Sequence, residues 1–416
     1  MLKSKKILFL TTMYPDPMRP GTPVCHYYTK EWVKMGHHVE VITLRSMFPP
    51  IYTFLAGLFP QLAHRYIGNH VEMDRNMEIV HHEKDGVFIH SMPIYKYIPH
   101  GKYPKKSIDK ALNNIVEIIK EKGFEPDAIM GHFYNPSMEL ILRLKEIFPK
   151  AKTSIIFHDS LIGVIKRNYP NVKDMLRGFD LIGGRHKTMT EILNKEIGPF
   201  VHPFVCISGT PESFVNVPAP IRSFNDDPIL YFLYVGQFTT NKCVQQTLEA
   251  LYGLYGHTPE WHISLIGDGG TCVESVKTYV KDKKIESNVS FEGRIPREDI
   301  RDYYDKSQCY VMISKSEAFG LVYLEAMSRG CICIGTRGQG IDGVIIDGKN
   351  GFLCEGGNVE DLKSTLCKIN SLSAKERETI SNNAIETARR FSDKNVAQEY
   401  LESLFDYGNH ELVKIS

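Results

Sequence analysis

Ser314-Lys-Ser-Glu-Ala-Phe-Gly-Leu-Val-Tyr-Leu-Glu-Ala-Met-Ser-Arg-Gly330 runs from a polar loop, through a glycine elbow, into an apolar helix, with Glu317 and Glu325 eight residues apart. The first turn of a helix leaves its amides unpaired and carries partial positive charge, so the loop before Gly320 can offer N–H groups to an anion such as a diphosphate. Glu325 stands about one and a half turns into the helix at ~3.6 residues per turn, where its carboxylate can meet a ribose diol. Glu317, on the loop, can meet a sugar on the other side of the phosphates. A chain with 49 Asp and Glu contains several glutamate pairs at this spacing by chance, so the pair gains meaning only from its surroundings.

Three neighbouring segments supply that context. Phe232-Leu-Tyr-Val-Gly236-Gln-Phe-Thr-Thr-Asn-Lys242 reads as a buried strand ending in glycine, followed by a helical run over 244–255; a lysine at the mouth of a parallel strand can reach phosphate oxygens. Trp261-His-Ile-Ser-Leu-Ile-Gly-Asp-Gly-Gly270 is a strand that breaks into a glycine turn, where backbone and ligand can approach closely. Val289-Ser-Phe-Glu-Gly-Arg-Ile-Pro296 is a further strand whose exit sets Arg294 and Ile295 beside a planar base.

In this order, from about Tyr231 to Ile369 and closing on Asp347-Gly-Lys-Asn-Gly-Phe-Leu353, the set resembles the donor half of retaining glycosyltransferases of family 4, which have the GT-B fold. The resemblance implies that Glu325 binds ribose hydroxyls and Glu317 contacts the donor sugar. It implies that Lys242 and the amides of Ala318, Phe319, Gly320 and Leu321 hold the diphosphate. Gly236, Gln237, Gly267, Asp268, Gly269, Arg294 and Ile295 complete the expected donor contacts. The sequence departs from the family at Gln237, where an arginine is usual, so the second cation on the phosphates is missing or comes from elsewhere; Arg337 is one substitute. It departs again at Gly340-Ile-Asp342, where glutamate is more frequent.

Strand-like and helix-like segments alternate along the whole chain, which predicts an α/β protein of two doubly wound Rossmann-like domains facing a cleft. Expected boundaries are an N-terminal acceptor domain over 1–207 with an insertion at about 46–75, a proline-rich linker over 208–227, a donor domain over 228–390, and a segment over 391–416 whose helix crosses back to the first domain. In the first half, strands are expected near 5–12, 38–43, 126–131, 152–158 and 179–183. Helices are expected near 22–35, 106–122, 137–147 and 186–196. Residues 78–82 and 86–92 read as an added hairpin, and Ser392 as the cap of the last helix.

Length and composition agree with this scheme: 416 residues suffice for two cores, and the 42% hydrophobic and 24% charged fractions are ordinary for a globular protein. Nine cysteines with no Cys-x-x-Cys pair point to a reducing compartment. Residues 1–200 hold 28 Lys and Arg against 20 Asp and Glu, while the remainder hold 22 against 29, so the basic half could face an anionic partner. No secretory signal is read, and the apolar stretch 47–63, broken by Pro49, Pro50 and Pro60, is too short to span a bilayer. It could rest in lipid headgroups together with 96–106, or pack as a local insertion. The expectation is a cytoplasmic protein, peripheral on the inner face of the plasma membrane, that does not bind nucleic acid.

In the first half, Gly21-Thr22 falls where such folds bring a glycine loop near donor phosphates. His158 ends a buried strand, and the resemblance places it close to the donor sugar. His132, at the end of the preceding strand, and His26, on the first helix, are candidates for acceptor contact. The implied reaction transfers a sugar from a nucleoside diphosphate sugar to a hydroxyl of a glycan or polyprenyl-linked acceptor, with Glu317, His158 and Lys242 as its catalytic groups. No Asp-x-Asp occurs in the sequence, so metal-independent turnover without a cofactor is expected. A nucleotide-sugar epimerase and a silent nucleotide-sugar-binding protein are the alternatives.

Overall fold

A computed structural model of the chain describes residues 2–15, 17, 22–51, 54 and 77–406. It divides into two compact units: 1–185, 189–206 and 396–416 form the first, 186–188 and 207–395 the second. Residues 208–227, expected as a linker, belong to the second unit. There Phe214 is buried on a short helix, Glu212–Val215, and Thr210 bridges Ser392.

The first unit is built on an eight-stranded sheet: β1 (Lys6–Thr11), β2 (His38–Met47), β3 (Val80–Lys84), β4 (Val87–Tyr95), β5 (Ala128–His132), β6 (Lys152–Phe157), β7 (Leu181–Gly184) and β8 (Pro203–Val205), in the order β3-β4-β2-β1-β5-β6-β7-β8. All pairings are parallel except β3 with β4. The expected hairpin thus forms the edge of the main sheet, with β4 lying parallel to β2. Strand β8 and the helices Ile162–Asn168 and Val172–Leu176 have no counterpart among the elements expected from the sequence.

β1 shows why the sheet is covered on both faces. Ile7, Leu8, Phe9 and Leu10 are all 0% exposed, and successive side chains point to opposite sides. Leu8 and Leu10 join Ile108, Ile115 and Ile119 of the amphipathic helix Lys105–Glu121 in one core. Phe9 faces Trp32 of the helix Val24–Lys34, ring centres 5.9 Å apart. The C-terminal helix Asp393–Phe405 closes that side, as Trp32 Nε1 donates to Ala397 O at 2.7 Å and Tyr400 packs on Tyr28 and Trp32. Ser392 caps it, accepting from Asn395 N at 3.3 Å.

The second unit has a six-stranded, all-parallel sheet: β9 (Tyr231–Val235), β10 (His262–Ile266), β11 (Val289–Gly293), β12 (Cys309–Val311), β13 (Ile332–Thr336) and β14 (Phe352–Cys354), in the order β11-β10-β9-β12-β13-β14. The chain leaves β9 towards β10 on one side and β12 towards β13 on the other, which opens a crevice at their carboxyl ends, where doubly wound sheets receive ligands. Among the described residues no helix is long and apolar enough to cross a membrane.

Candidate functional site

The loops after β9 and β12 meet at this change of strand order. Lys315 N donates to Asn241 O at 2.8 Å, and Asn241 Nδ2 donates to Ser316 O at 2.7 Å, so the two loops are tied together at the backbone. The tie sets Lys242 Nζ on Glu317 Oε2 as an ion pair, with side chains 24% and 13% exposed. From the other side Gln339 Oε1 accepts from Glu317 N at 3.1 Å, and Gly340 N donates to Glu317 O at 3.0 Å. A Cβ on Gly340 would lie 2.3 Å from Phe319 Cα, so only glycine fits there.

The glycine turn after β10 docks on the same loop. Gly267 sits at φ +138°, and a Cβ there would lie 2.1 Å from Gly236 O; one on Gly270 would lie 2.3 Å from Phe238 O. Phe238 N donates to Gly269 O at 3.2 Å, while Asp268 and Gly269 are both exposed. The Tyr234 hydroxyl donates to Gln237 O at 3.0 Å, fixing that residue by its backbone while the residue itself is exposed. Burial holds the Tyr234 phenol far above its usual pKa, with Glu317 adding to the effect, so it stays a donor.

Gly320, at φ +80°, is the N-cap of the helix Leu321–Ser328 and provides no side-chain acceptor. The first amide of this helix with an intramolecular backbone acceptor is that of Tyr323, on Gly320 O at 3.0 Å. Leu321 and Val322 are half-buried at this helix start, where unpaired first-turn amides can accept an anion. One face of the site therefore holds a lysine and a carboxylate, and its floor is a helix N-terminus.

Glu325, on the same helix, is 2% exposed and already engaged. Arg297 donates to its Oε1 through Nε at 2.7 Å and also through Nη2, and the buried Tyr304 hydroxyl donates to Oε2 at 3.1 Å. Arg294 and Ile295, the residues expected at this exit, are exposed and half-buried respectively. A glutamate inside an apolar helix demands a partner cation, and that is the one available signal, but nothing in the sequence selects Arg297 from 28 residues away. Arg337, the suggested second cation, has Nη2 on Leu353 O at 2.8 Å, and Asp342 accepts from Gly338 N.

In the first unit, His158 follows β6 and joins His132 at the end of β5, Nε2 to Nδ1 at 2.9 Å. The Phe133 ring stacks on His158 with centroids 3.8 Å apart, on a backbone at φ +60° that side-chain-bearing residues seldom adopt. His132 is 0% exposed, enclosed by the rings of Phe9, Tyr28 and Tyr400. The buried Arg185 donates to Tyr28 Oη at 3.0 Å. Burial, with the Arg185 charge behind it, drives both imidazoles well below the usual histidine range, so they are neutral and one N–H serves the other nitrogen.

Neither proposed acceptor histidine has its ring at the surface. His132 is wholly buried, and His26, 4% exposed, spends Nδ1 on the Tyr14 hydroxyl at 2.8 Å and Nε2 on Asp85 at 2.6 Å. Cys25, His132 and His158 are the three residues whose metal-ligand atoms cluster within 4.8 Å among the described residues. Burial pushes the Cys25 thiol up to about 12, and Arg185 is a charge neighbour of all three, so a further cation there would meet a neutral thiol and a guanidinium. Gly21 and most of 47–63 lie outside the described residues. Of the expected basic surface, Lys96 is 8% exposed with its ammonium over the Tyr103 ring, and burial lowers it to about 8; Lys102 and Lys105 pair with Glu139 and Asp109.

Residues 221–387 match the family described as glycosyl transferases group 1. The match covers the second unit's sheet, both glutamates and Lys242. Among characterised relatives, N-acetyl-alpha-D-glucosaminyl L-malate synthase of Bacillus anthracis is 34% identical over 126 residues, 30% of this chain and 32% of the relative. An uncharacterized glycosyltransferase of Methanocaldococcus jannaschii is 28% identical over 169 residues, 41% of this chain and 46% of the relative. The chain thus spans less than half the length of these relatives. Among solved structures, a glycosyltransferase from Rickettsia africae superposes with a TM-score of 0.68 at 17% identity, over 98% of this chain and 100% of that one. Anabaena HepE in complex with UDP gives 0.63 at 15%, over 96% and 99%. Both units therefore have the Rossmann-like folds of GT-B glycosyltransferases.

Proposed function

We propose that this chain is a retaining glycosyltransferase that moves a sugar from a nucleoside diphosphate sugar to a hydroxyl of a glycan or polyprenyl-linked acceptor, in the synthesis of a cell-surface polysaccharide or glycolipid. The observation that carries the proposal is the Lys242–Glu317 ion pair beside the uncapped helix start at Gly320, at the change of strand order in the second sheet. HepE was solved with UDP, which supports a nucleotide-sugar donor here.

In the proposed reaction the bond between the anomeric carbon and the diphosphate breaks, its electron pair leaves with the phosphate, and the acceptor oxygen bonds to the same face of the carbon. The acceptor proton passes to a leaving-phosphate oxygen. The charge that appears on the diphosphate is the main electrostatic demand, met by the Lys242 ammonium and the amides of Gly320, Leu321 and Val322. Glu317 orients the sugar and keeps Lys242 in place, and Glu325 grips the ribose. No step requires a metal.

The test is incubation of the protein with UDP-, GDP- and ADP-sugars, with and without a membrane lipid extract, followed by product analysis and proton NMR of the new anomeric centre. Transfer that needs both components, with the donor's configuration kept, is the expected result. Conversion of the donor without lipid, inversion, or binding without product would each overturn the proposal.

A further inference from the structure

The Glu325 carboxylate, to which the proposed function assigns the ribose, is already held by a side chain of the protein itself, and the inference of a latch rests on that assignment. A carboxylate offers about four lone-pair positions. Arg297 fills both on Oε1, through Nε at 2.7 Å and through Nη2, and the Tyr304 hydroxyl fills one on Oε2 at 3.1 Å. One position remains, whereas a vicinal diol brings two O–H groups that need an oxygen each.

The two partners differ in exposure. Tyr304 is 0% exposed on the helix Ile300–Lys306, with its ring packed near Tyr310 and Phe214. Arg297 has a side chain 31% exposed and stands on the loop between β11 and that helix. Glu325 itself is 2% exposed on its helix, so the arginine is the more exposed of its two partners.

We propose that Arg297 is a latch on the donor site: it satisfies the buried Glu325 charge in the donor-free protein and swings off Oε1 when the ribose of a nucleoside diphosphate binds, the ribose hydroxyls taking its place. A buried carboxylate without a partner is costly, which gives the latch its purpose between turnovers. The exchange also makes donor affinity a difference between two sets of hydrogen bonds, so the latch favours ligands that carry the full diol.

The sign of one mutational effect decides the matter. By isothermal titration calorimetry with UDP, GDP and ADP, and with the 2′,3′-dideoxy form of the nucleotide that binds best, Arg297→Gln should bind the ribose nucleotide at least threefold tighter than the wild type. Its affinity for the dideoxy form should be unchanged. Equal or weaker binding of the ribose form by Arg297→Gln would overturn the latch, because an arginine that holds the donor or merely supports the fold cannot tighten binding when removed. Should Arg297→Gln melt too low for titration, Arg297→Lys keeps the charge, gives up the two-armed contact, and should still bind the ribose form tighter than the wild type; equal or weaker binding by it would overturn the latch as well. The underlying assignment fails separately: if Glu325→Gln leaves the preference for ribose over dideoxyribose intact, the ribose does not lie on Glu325 at all.

Discussion

The two sheets carry chemistry at equivalent places, the carboxyl ends of strands beside a change in strand order, and fill them in opposite ways. At the ends of β9, β11 and β12 the second unit sets two ion pairs, Lys242–Glu317 between two loops and Arg297–Glu325 between a loop and a helix. At the end of β5 and β6 the first unit sets two neutral imidazoles, a thiol and Tyr28 around one enclosed guanidinium. The charged set is partly open to solvent and its geometry comes from loops tied to each other; the neutral set is buried and its geometry comes from the core. Charges held at a rim are available for an anionic ligand, whereas imidazoles held neutral by burial are suited to hydrogen bonding and shape.

The contrast is sharpest where activity and stability separate. Lys242→Ala and Glu317→Ala should each lower the rate of sugar transfer by about 10²- to 10³-fold, the value of one preorganised electrostatic contact at about 3–4 kcal/mol, while the melting temperature moves little. The two losses should not add, because each residue holds the other, and initial rates of the double variant check this. A rate change below tenfold in both single variants would remove the distinction between the units.

Backbone constraint is the second point of contrast. Gly267→Ala places a Cβ 2.1 Å from Gly236 O at φ +138°, so the second unit should lose about 3 kcal/mol. The chain's two tryptophans report on the units separately: Trp32 lies in the first and Trp261 in the second. Urea unfolding followed by fluorescence in a Trp32→Phe background should show this loss in the Trp261 signal, and a Trp261→Phe background should show little.

Acid should act on the other unit. His26, His132 and His158 all have pKa values lowered chiefly by burial, so the unfolded chain takes up protons near pH 6.5 that the folded chain refuses. Stability of the first unit is then complete above about pH 6.5 and falls as the pH drops below it, by up to about 1.4 kcal/mol per pH unit for each such histidine. Between pH 7 and pH 5.5 the Trp32 transition should move to lower urea while the Trp261 transition stays. Arg294→Ala, at an exposed rim position, should be the mildest change, within about 0.5 kcal/mol of the wild-type stability.

The same contrast explains how much the sequence discloses. The charged site is legible because its parts are short-range signals: a strand that ends at Gly236, a lysine six residues on, a glycine turn at 267–270, and two glutamates on one loop and helix. Each restricts its own backbone, so each leaves a mark in a few residues. The parallel strands are legible too, since burial on both faces makes β1 a continuous apolar run and keeps β2 rich in Val, Ile and Leu. The Arg297 contact with Glu325 and the His132 contact with His158 leave no such mark, being chosen by the packing of distant segments. β8, three residues beginning at a proline, is too short for any period to register, and the helix at 212–215 hides among the prolines that suggest a linker.

The binding of the diphosphate at the helix start is tested most directly by an amide-detected NMR titration of the protein with UDP, GDP and ADP, each compared with its nucleoside. The diphosphate, and not the nucleoside, should shift the backbone N–H signals of Gly320, Leu321 and Val322 together with those of the 239–242 loop. A nucleoside diphosphate that binds while those amides keep their positions would contradict the assignment of this site.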